Sequence, residues 1–344
     1  MNKLLSGLIA VGTSFFLTAC GSGSGEAGAD TQAGNSPDTA LAITVSNSDD
    51  VTASTVSAVS STTNAGGDTI AFSASIESDS TEFEISQFFY RLLADFPDHL
   101  LQDTDLATGI VISPITIDCS DPDFGGVSGQ VTLSAEIATR SNITAGDKFN
   151  AEFFNCEIEP GVFGSGVMNF VINSFSGDVI FYSAPYQLAA DITFEDFSVT
   201  SGQESYFADG DMTIDINVGS NNISSLLATG DFITVKEGAS TQIRLFDYSV
   251  SEVLDTVSNT FVQEQSGTLD SVLLGGSVTF STIVPFVGTI GENPNTGTLL
   301  MEGASSSAAR LVVIDENDVQ IFVDEDGDGT FGPATTIAWA DLTL

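Results

Sequence analysis

Met212-Thr213-Ile214-Asp215-Ile216-Asn217-Val218 places every second side chain in an apolar row and the rest in a polar one. A helix would scatter these residues around its axis, so strict alternation reads as a half-buried strand. The same period runs through Val131, Leu133, Ala135 and Ile137, and through Leu188, Ala190, Ile192 and Phe194. Further runs of this kind lie near 149–158, 166–172, 229–235, 241–250, 268–282, 297–301, 308–314, 318–323 and 335–341. Turn signals separate them, among them Ser176-Gly177-Asp178, Asp209-Gly210-Asp211, Thr229-Gly230-Asp231 and Asn295-Thr296-Gly297. Short strands joined by short turns describe an antiparallel meander with one face buried and one wet. The expectation is a single all-β domain over 67–344, formed as a curled sheet, a sandwich or a barrel; the pattern leaves the three open. No internal repeat is clear enough to claim.

One stretch ahead of these strands changes period. Ile85, Phe88, Phe89, Leu92, Leu93 and Phe96 recur at the spacing of one helix face. Thr81 and Glu84 fit a capping box and Pro97 supplies a stop, which predicts an amphipathic helix over 82–96 packed on the sheet. Before it, residues 20–66 contain no aromatic side chain and begin with Gly21-Ser22-Gly23-Ser24-Gly25. That composition reads as a flexible tether.

Residues 1–19 have another character. Met1-Asn2-Lys3 is a basic start, Leu4 to Phe16 an apolar stretch, and small residues follow before a cut site: a secretory signal peptide. The apolar run is shorter than the about 20 residues that span a bilayer. Leu17-Thr18-Ala19-Cys20 resembles the lipobox of bacterial lipoproteins. The resemblance implies cleavage before Cys20, a diacylglycerol on its sulfur and a fatty acid such as palmitate on its amine. Several acyl chains on one residue make a firm membrane anchor, since each buried methylene contributes about 0.8 kcal/mol. Gly21, where Asp would retain a protein at the inner membrane, implies by similarity to enterobacterial sorting a place at the outer membrane, on the periplasmic or the surface face.

Charge narrows the partners. The chain carries 47 Asp and Glu against 7 Lys and Arg, a net charge of −40. Such a field repels phosphate backbones, so nucleic acid is no partner, and it draws cations and basic partners. Twenty-five Phe and a 42% hydrophobic composition are enough to bury a core, so the acidity does not signal disorder. With 5 Tyr and 1 Trp the chain lacks the aromatic girdles of a transmembrane barrel. In an exported chain the two cysteines beyond the anchor, Cys119 and Cys156, form one disulfide.

Asp324-Glu325-Asp326-Gly327-Asp328-Gly329-Thr330 is the sharpest motif. Carboxylates at alternate positions, followed by Gly, let a short loop gather oxygens around Ca²⁺, which takes 6–8 of them. The motif resembles the first half of an EF-hand or dockerin loop, which implies Asp324, Asp326, Asp328 and the Thr330 carbonyl as ligands. It departs at the twelfth position, where Thr335 replaces a bidentate acid, and its flanks alternate as strands. The same residues suit an acidic hairpin turn, where Asp-Gly is favoured, and both readings stand. Asp315, Glu316, Asn317 and Asp318 form a second acidic turn expected to contribute more weakly. Followed by Trp339-Ala340-Asp341-Leu342, the hairpin is similar to the end of many uncharacterised proteobacterial lipoproteins. So are Gly146-Asp147-Lys148-Phe149 and Phe154-Asn155-Cys156; that group pairs such a cysteine with an earlier one. It brings no established activity.

Catalysis finds little foothold. The only histidine, His99, is alone between Asp98 and Leu100, and no Gly-x-Ser-x-Gly elbow accompanies it. One His cannot build a His-rich zinc set, and no phosphate-binding glycine pattern leads from a strand into a helix. The 47 acids offer too many pairs for a glycosidase pair to be singled out. The expectation is a non-enzymatic, lipid-anchored envelope protein with a structural or interaction role, and with Ca²⁺ as a candidate stabilising ion. The alternatives are a module for an apolar ligand or lipid, and an adhesin that meets a cell-surface partner.

Overall fold

The alternating runs are strands. The computed structural model describes residues 37–66, 110–121, 126–138, 143–178, 183–201, 204–237 and 241–342. Its strands are β1 (Ile110–Asp118), β2 (Ser128–Ile137), β3 (Lys148–Glu159), β4 (Val162–Asp178), β5 (Ser183–Ser201), β6 (Glu204–Val218) and β7 (Ile223–Glu237). They continue as β8 (Thr241–Asp255), β9 (Thr260–Ser271), β10 (Gly276–Thr289), β11 (Pro294–Glu302), β12 (Ala308–Val313), β13 (Asp318–Asp324) and β14 (Thr335–Ala338). Every strand pairs antiparallel with the next, in one 14-stranded sheet ordered β1 to β14. This is an all-β meander. In β6, Met212, Ile214 and Ile216 are buried while Asp211, Thr213 and Asp215 are exposed, as the period of two requires.

Of the three forms left open by the pattern, the sheet is the curled one. Among the described residues β1 and β14 remain edges and do not close a barrel. The curl has a local cause. Register shifts fall between Phe153 and Cys156 in β3, between Phe194 and Phe197 in β5, and between Phe246 and Ser249 in β8. At each shift sits a left-handed Asn or Asp: Asn155 at φ 49°, Asp196 at 49° and Asp247 at 46°. Glycines on neighbouring strands meet them. Gly166, at φ +103°, lies so close to Asp196 that a Cβ would stand 2.3 Å from its carbonyl oxygen. Bulges bend a strand and increase its twist, so a line of them crossing β3 to β8 creases the sheet. The buried rings of Phe153 and Phe197 meet edge-to-face at 5.8 Å on this crease.

Inside the curl runs a helix, and it is not the one anticipated. α1 (Ser48–Gly66) occupies residues that the composition assigned to the tether; the predicted helix over 82–96 lies outside the described residues. Val51, Thr52, Ala53, Ser54 and Thr55 are all buried, so this part of the helix is covered on every side. It touches β6, β7, β8 and β9 and also β12 and β13. In a flat sheet β6 and β13 would lie about 34 Å apart at the usual strand spacing. The helix is about 28 Å long and roughly 10 Å across, and it meets β6 to β9 as well as β12 and β13 in keeping with a sheet that wraps round it. The missing aromatics that suggested a tether are what let it fit, since a close-packed interior leaves small side chains as the only tenants. Its hydroxyls are satisfied locally: Thr52 Oγ1 donates to the Ser48 carbonyl at 2.7 Å and Thr55 Oγ1 to the Val51 carbonyl at 2.8 Å. Asn47 caps it, its carbonyl accepting from Val51 N–H at 2.9 Å, and Asp49 and Asp50 complement the helix dipole.

Residues 37–47 form a strap rather than coil. The strap crosses the sheet end where β8, β10 and β12 begin and β9, β11 and β13 finish. Asp38 N–H donates to Asp270 at 3.0 Å, and Arg244 bridges the carboxylates of Asp38 and the buried Asp270. Ala40 then forms a parallel bridge with Ser277, and Leu41 N–H donates to the Ser277 carbonyl at 2.8 Å.

Candidate metal site

The loop that joins β13 to β14 is built around Asp324. This residue ends β13 and is itself buried, 4% exposed. One carboxylate oxygen accepts from Gly327 N–H at 2.9 Å and the other from Gly329 N–H at 2.8 Å. Both glycines have positive φ, 70° and 86°, which lets two alternate amides turn inward onto one side chain. Asp326 accepts from Asp328 N–H at 3.3 Å, and Asp328 from Thr330 N–H at 2.7 Å.

This arrangement brings together three of the four nominated ligands. One carboxylate oxygen each of Asp324, Asp326 and Asp328 lies within 4.8 Å of the others. Two ligands on opposite sides of Ca²⁺ at about 2.4 Å are separated by about the same span. Each carboxylate keeps lone pairs beyond its loop hydrogen bond, and three negative groups this close repel one another unless a cation lies among them. The donor set is all oxygen, hard and anionic, which suits Ca²⁺ over a thiophilic metal. Thr330 contributes its N–H to Asp328 and is exposed; its carbonyl is the fourth nominated ligand.

The second acidic turn does not join this group. Asp315 accepts from the N–H groups of Asn317 and Asp318 at 2.8 and 3.0 Å, an ordinary capped turn. It opens β13 whereas Asp324 closes it, which puts the two turns about 20 Å apart along the strand. The expected contribution from Asp315, Glu316, Asn317 and Asp318 is therefore absent.

The loop's far end is pinned to the outer face. Gly332 N–H donates to the Val323 carbonyl at 2.8 Å. The Arg310 guanidinium on β12 lies 4.4 Å from the centre of the Phe331 ring and 5.0 Å from that of Phe322, a cation between two aromatic faces.

Cys119 and Cys156 are bridged, with Cα atoms 5.8 Å apart and both residues fully buried. The bond ties the end of β1 to β3 across β2. Cys20 and His99 lie outside the described residues. Among the described residues no helix is long and apolar enough to cross a membrane.

Polar groups also point inward. Glu252 and Gln263 face each other across β8 and β9, 1% and 4% exposed, between the alternating runs near 241–250 and 268–282. Tyr248 is likewise buried, and burial, with Asp211 and Asp231 nearby, pushes its phenol well above its ordinary value. It stays neutral and donates to the Asp211 carbonyl at 2.7 Å.

Comparison with protein-family models, with curated proteins and with solved structures finds no match for this chain.

Proposed function

We propose that this chain is a lipid-anchored protein of the bacterial outer membrane, with a structural or interaction role and a calcium ion on the β13–β14 loop. The observation that carries the calcium clause is the convergence of Asp324, Asp326 and Asp328 within 4.8 Å, on a loop already folded around Asp324. Leu17-Thr18-Ala19-Cys20 supports the anchor. The place of α1 inside the curl supports a structural body over a carrier of apolar ligands, because the helix takes up room a ligand would need.

The reading is tested in two parts. Calcium at millimolar concentration is expected to raise the melting temperature of the purified domain by several degrees, reversibly with EDTA. Asp326→Asn with Asp328→Asn is expected to remove that response. An unchanged melting temperature in calcium rejects the metal clause. For the anchor, a fatty-acid probe is expected to label the wild type in cells and to miss Cys20→Ser; equal labelling of both rejects it.

A further inference from the structure

The acidic loop touches more than its own backbone. Glu325 stands between the first two nominated ligands, and its carboxylate accepts the Val45 N–H of the strap at 2.6 Å. Gly327, two residues on, packs against the turn that joins β11 to β12. A Cβ on Gly327 would stand 2.4 Å from the Ser305 carbonyl oxygen and 2.9 Å from Ser306 Cβ. That turn holds the strap in its own right. Ala304 N–H donates to the Leu41 carbonyl at 2.8 Å, and Ile43 N–H donates to the buried Ser307 hydroxyl at 2.8 Å. Gly303 lies close enough to the strap that a Cβ would meet the Leu41 carbonyl oxygen at 2.2 Å.

The turn between loop and strap is strained. Ser305 and Ser306 are both left-handed, at φ 58° and 63°, without being glycine. Consecutive residues in that region persist only where their surroundings hold them, and here the surroundings are the acidic loop on one side and the strap on the other. A strained turn clamped between two segments passes the displacement of one to the other.

We propose that the β13–β14 loop is the keeper of the strap: the loop's conformation decides whether residues 37–47 are docked on the sheet end. The contacts are Glu325 to Val45 directly, and Gly327 to the Ser305-Ser306 turn and thence to Leu41 and Ile43. Because the strap runs straight into the cap of α1, release of the loop also loosens the first turn of the enclosed helix. If the loop holds calcium, as proposed above, docking of the strap becomes calcium-dependent; that dependence rests on the calcium reading, whereas the latch does not.

Hydrogen exchange on the full folded domain, read over peptides covering 38–47, tests the latch. Gly327→Ala and Glu325→Ala are expected to speed exchange there at least about fivefold, the loss of one hydrogen bond's protection. Gly291→Ala, in the turn between β10 and β11, is the control: its φ is likewise positive, but a Cβ there meets nothing within 4 Å and it touches neither loop nor strap, so strap exchange is expected to stay at the wild-type rate. Glu325→Gln keeps an oxygen acceptor and is expected to restore protection. Equal strap exchange in wild type, Glu325→Ala and Gly291→Ala overturns the latch, even if Gly327→Ala does not fold. In the calcium arm, the ion is expected to slow strap exchange in the wild type and not in Glu325→Ala. Calcium that raises the melting temperature yet leaves strap exchange unchanged overturns the calcium dependence and leaves the metal site standing. If calcium has no effect on melting, the earlier reading fails and the variants alone decide the latch.

Discussion

Single carboxylates in this chain do different work according to what donates to them. Glu157 lies on the surface, yet the Ser128 hydroxyl at 2.6 Å and the Gly161 N–H at 3.0 Å hold its carboxyl below the ordinary value of 4.5. The hydroxyl contributes more than the amide. A depressed carboxylate adds stability above its unfolded pKa and loses it as pH falls through the folded one. Ser128→Ala is therefore expected to move the Glu157 titration upward, toward 4.5, and to shrink the stability this group loses on acidification. Carboxyl chemical shifts followed through a pH titration check it; an unmoved midpoint refutes it. The clustering of Asp324 with Asp326 and Asp328 was legible from the spacing of the motif, but the part Asp324 plays in folding the loop was not. Sequence spacing shows which oxygens gather, whereas the two amides that fold the loop onto Asp324 depend on the left-handed glycines and the end of β13.

At the scale of elements, the crease and the enclosed helix carry the predictions. Gly166→Ala places a methyl 2.3 Å from the Asp196 carbonyl at a positive φ, and should destabilise the domain by about 3 kcal/mol or more. Gly161→Ala has the same kind of φ but open space around it, and should cost about 1 kcal/mol. Urea denaturation of the pair separates contact from conformation, and equal losses would count against the crease. Ala58, fully buried in α1, is the complementary probe. Ala58→Leu is expected to lower the melting temperature by several degrees through overpacking, about 1–3 kcal/mol; a tether would be indifferent to it. The strands were readable because each keeps its period of two. The helix was not, since Ser, Thr and Val are weak helix formers and only the cavity within the curl makes them helical. A signal for the crease did exist. Asp196-Phe197-Ser198-Val199 and Asp247-Tyr248-Ser249-Val250 are near copies, each opening with the left-handed Asp of a bulge, although no repeat was recognised between them.

Across the whole molecule, one open sheet has to guard two edges. β1 carries Pro114 beside its register shift between Ile112 and Ile115, and β14 is only four residues long. A missing donor, a bulge and a short edge each discourage pairing with another chain. The disulfide secures the β1 edge further. Replacing Cys119 and Cys156 by Ser should remove roughly 4 kcal/mol if loop closure is the main effect. Chemical denaturation of the double variant against the oxidised protein measures it, and a midpoint unaltered by the change would show the edge to be held by pairing alone. The disulfide was expected from the resemblance of residues 1–19 to a signal peptide and from the cysteine number. The curl did not, because alternation fixes which face is buried and says nothing about how far the sheet bends.

The strap and the sheet place a demand on the order of assembly. Each strand finds its partner next to it in the chain, so hairpins can zip up one after another as a nascent polypeptide emerges. The strap's hydrogen-bond partners on the sheet lie 232 to 280 residues downstream, from Asp270 to Glu325. Vectorial synthesis thus delivers the amino-terminal helix first and its housing last. Until the final hairpins arrive, a helix rich in serine and threonine has nowhere to be buried, and its polar composition keeps that waiting segment from becoming a sticky one.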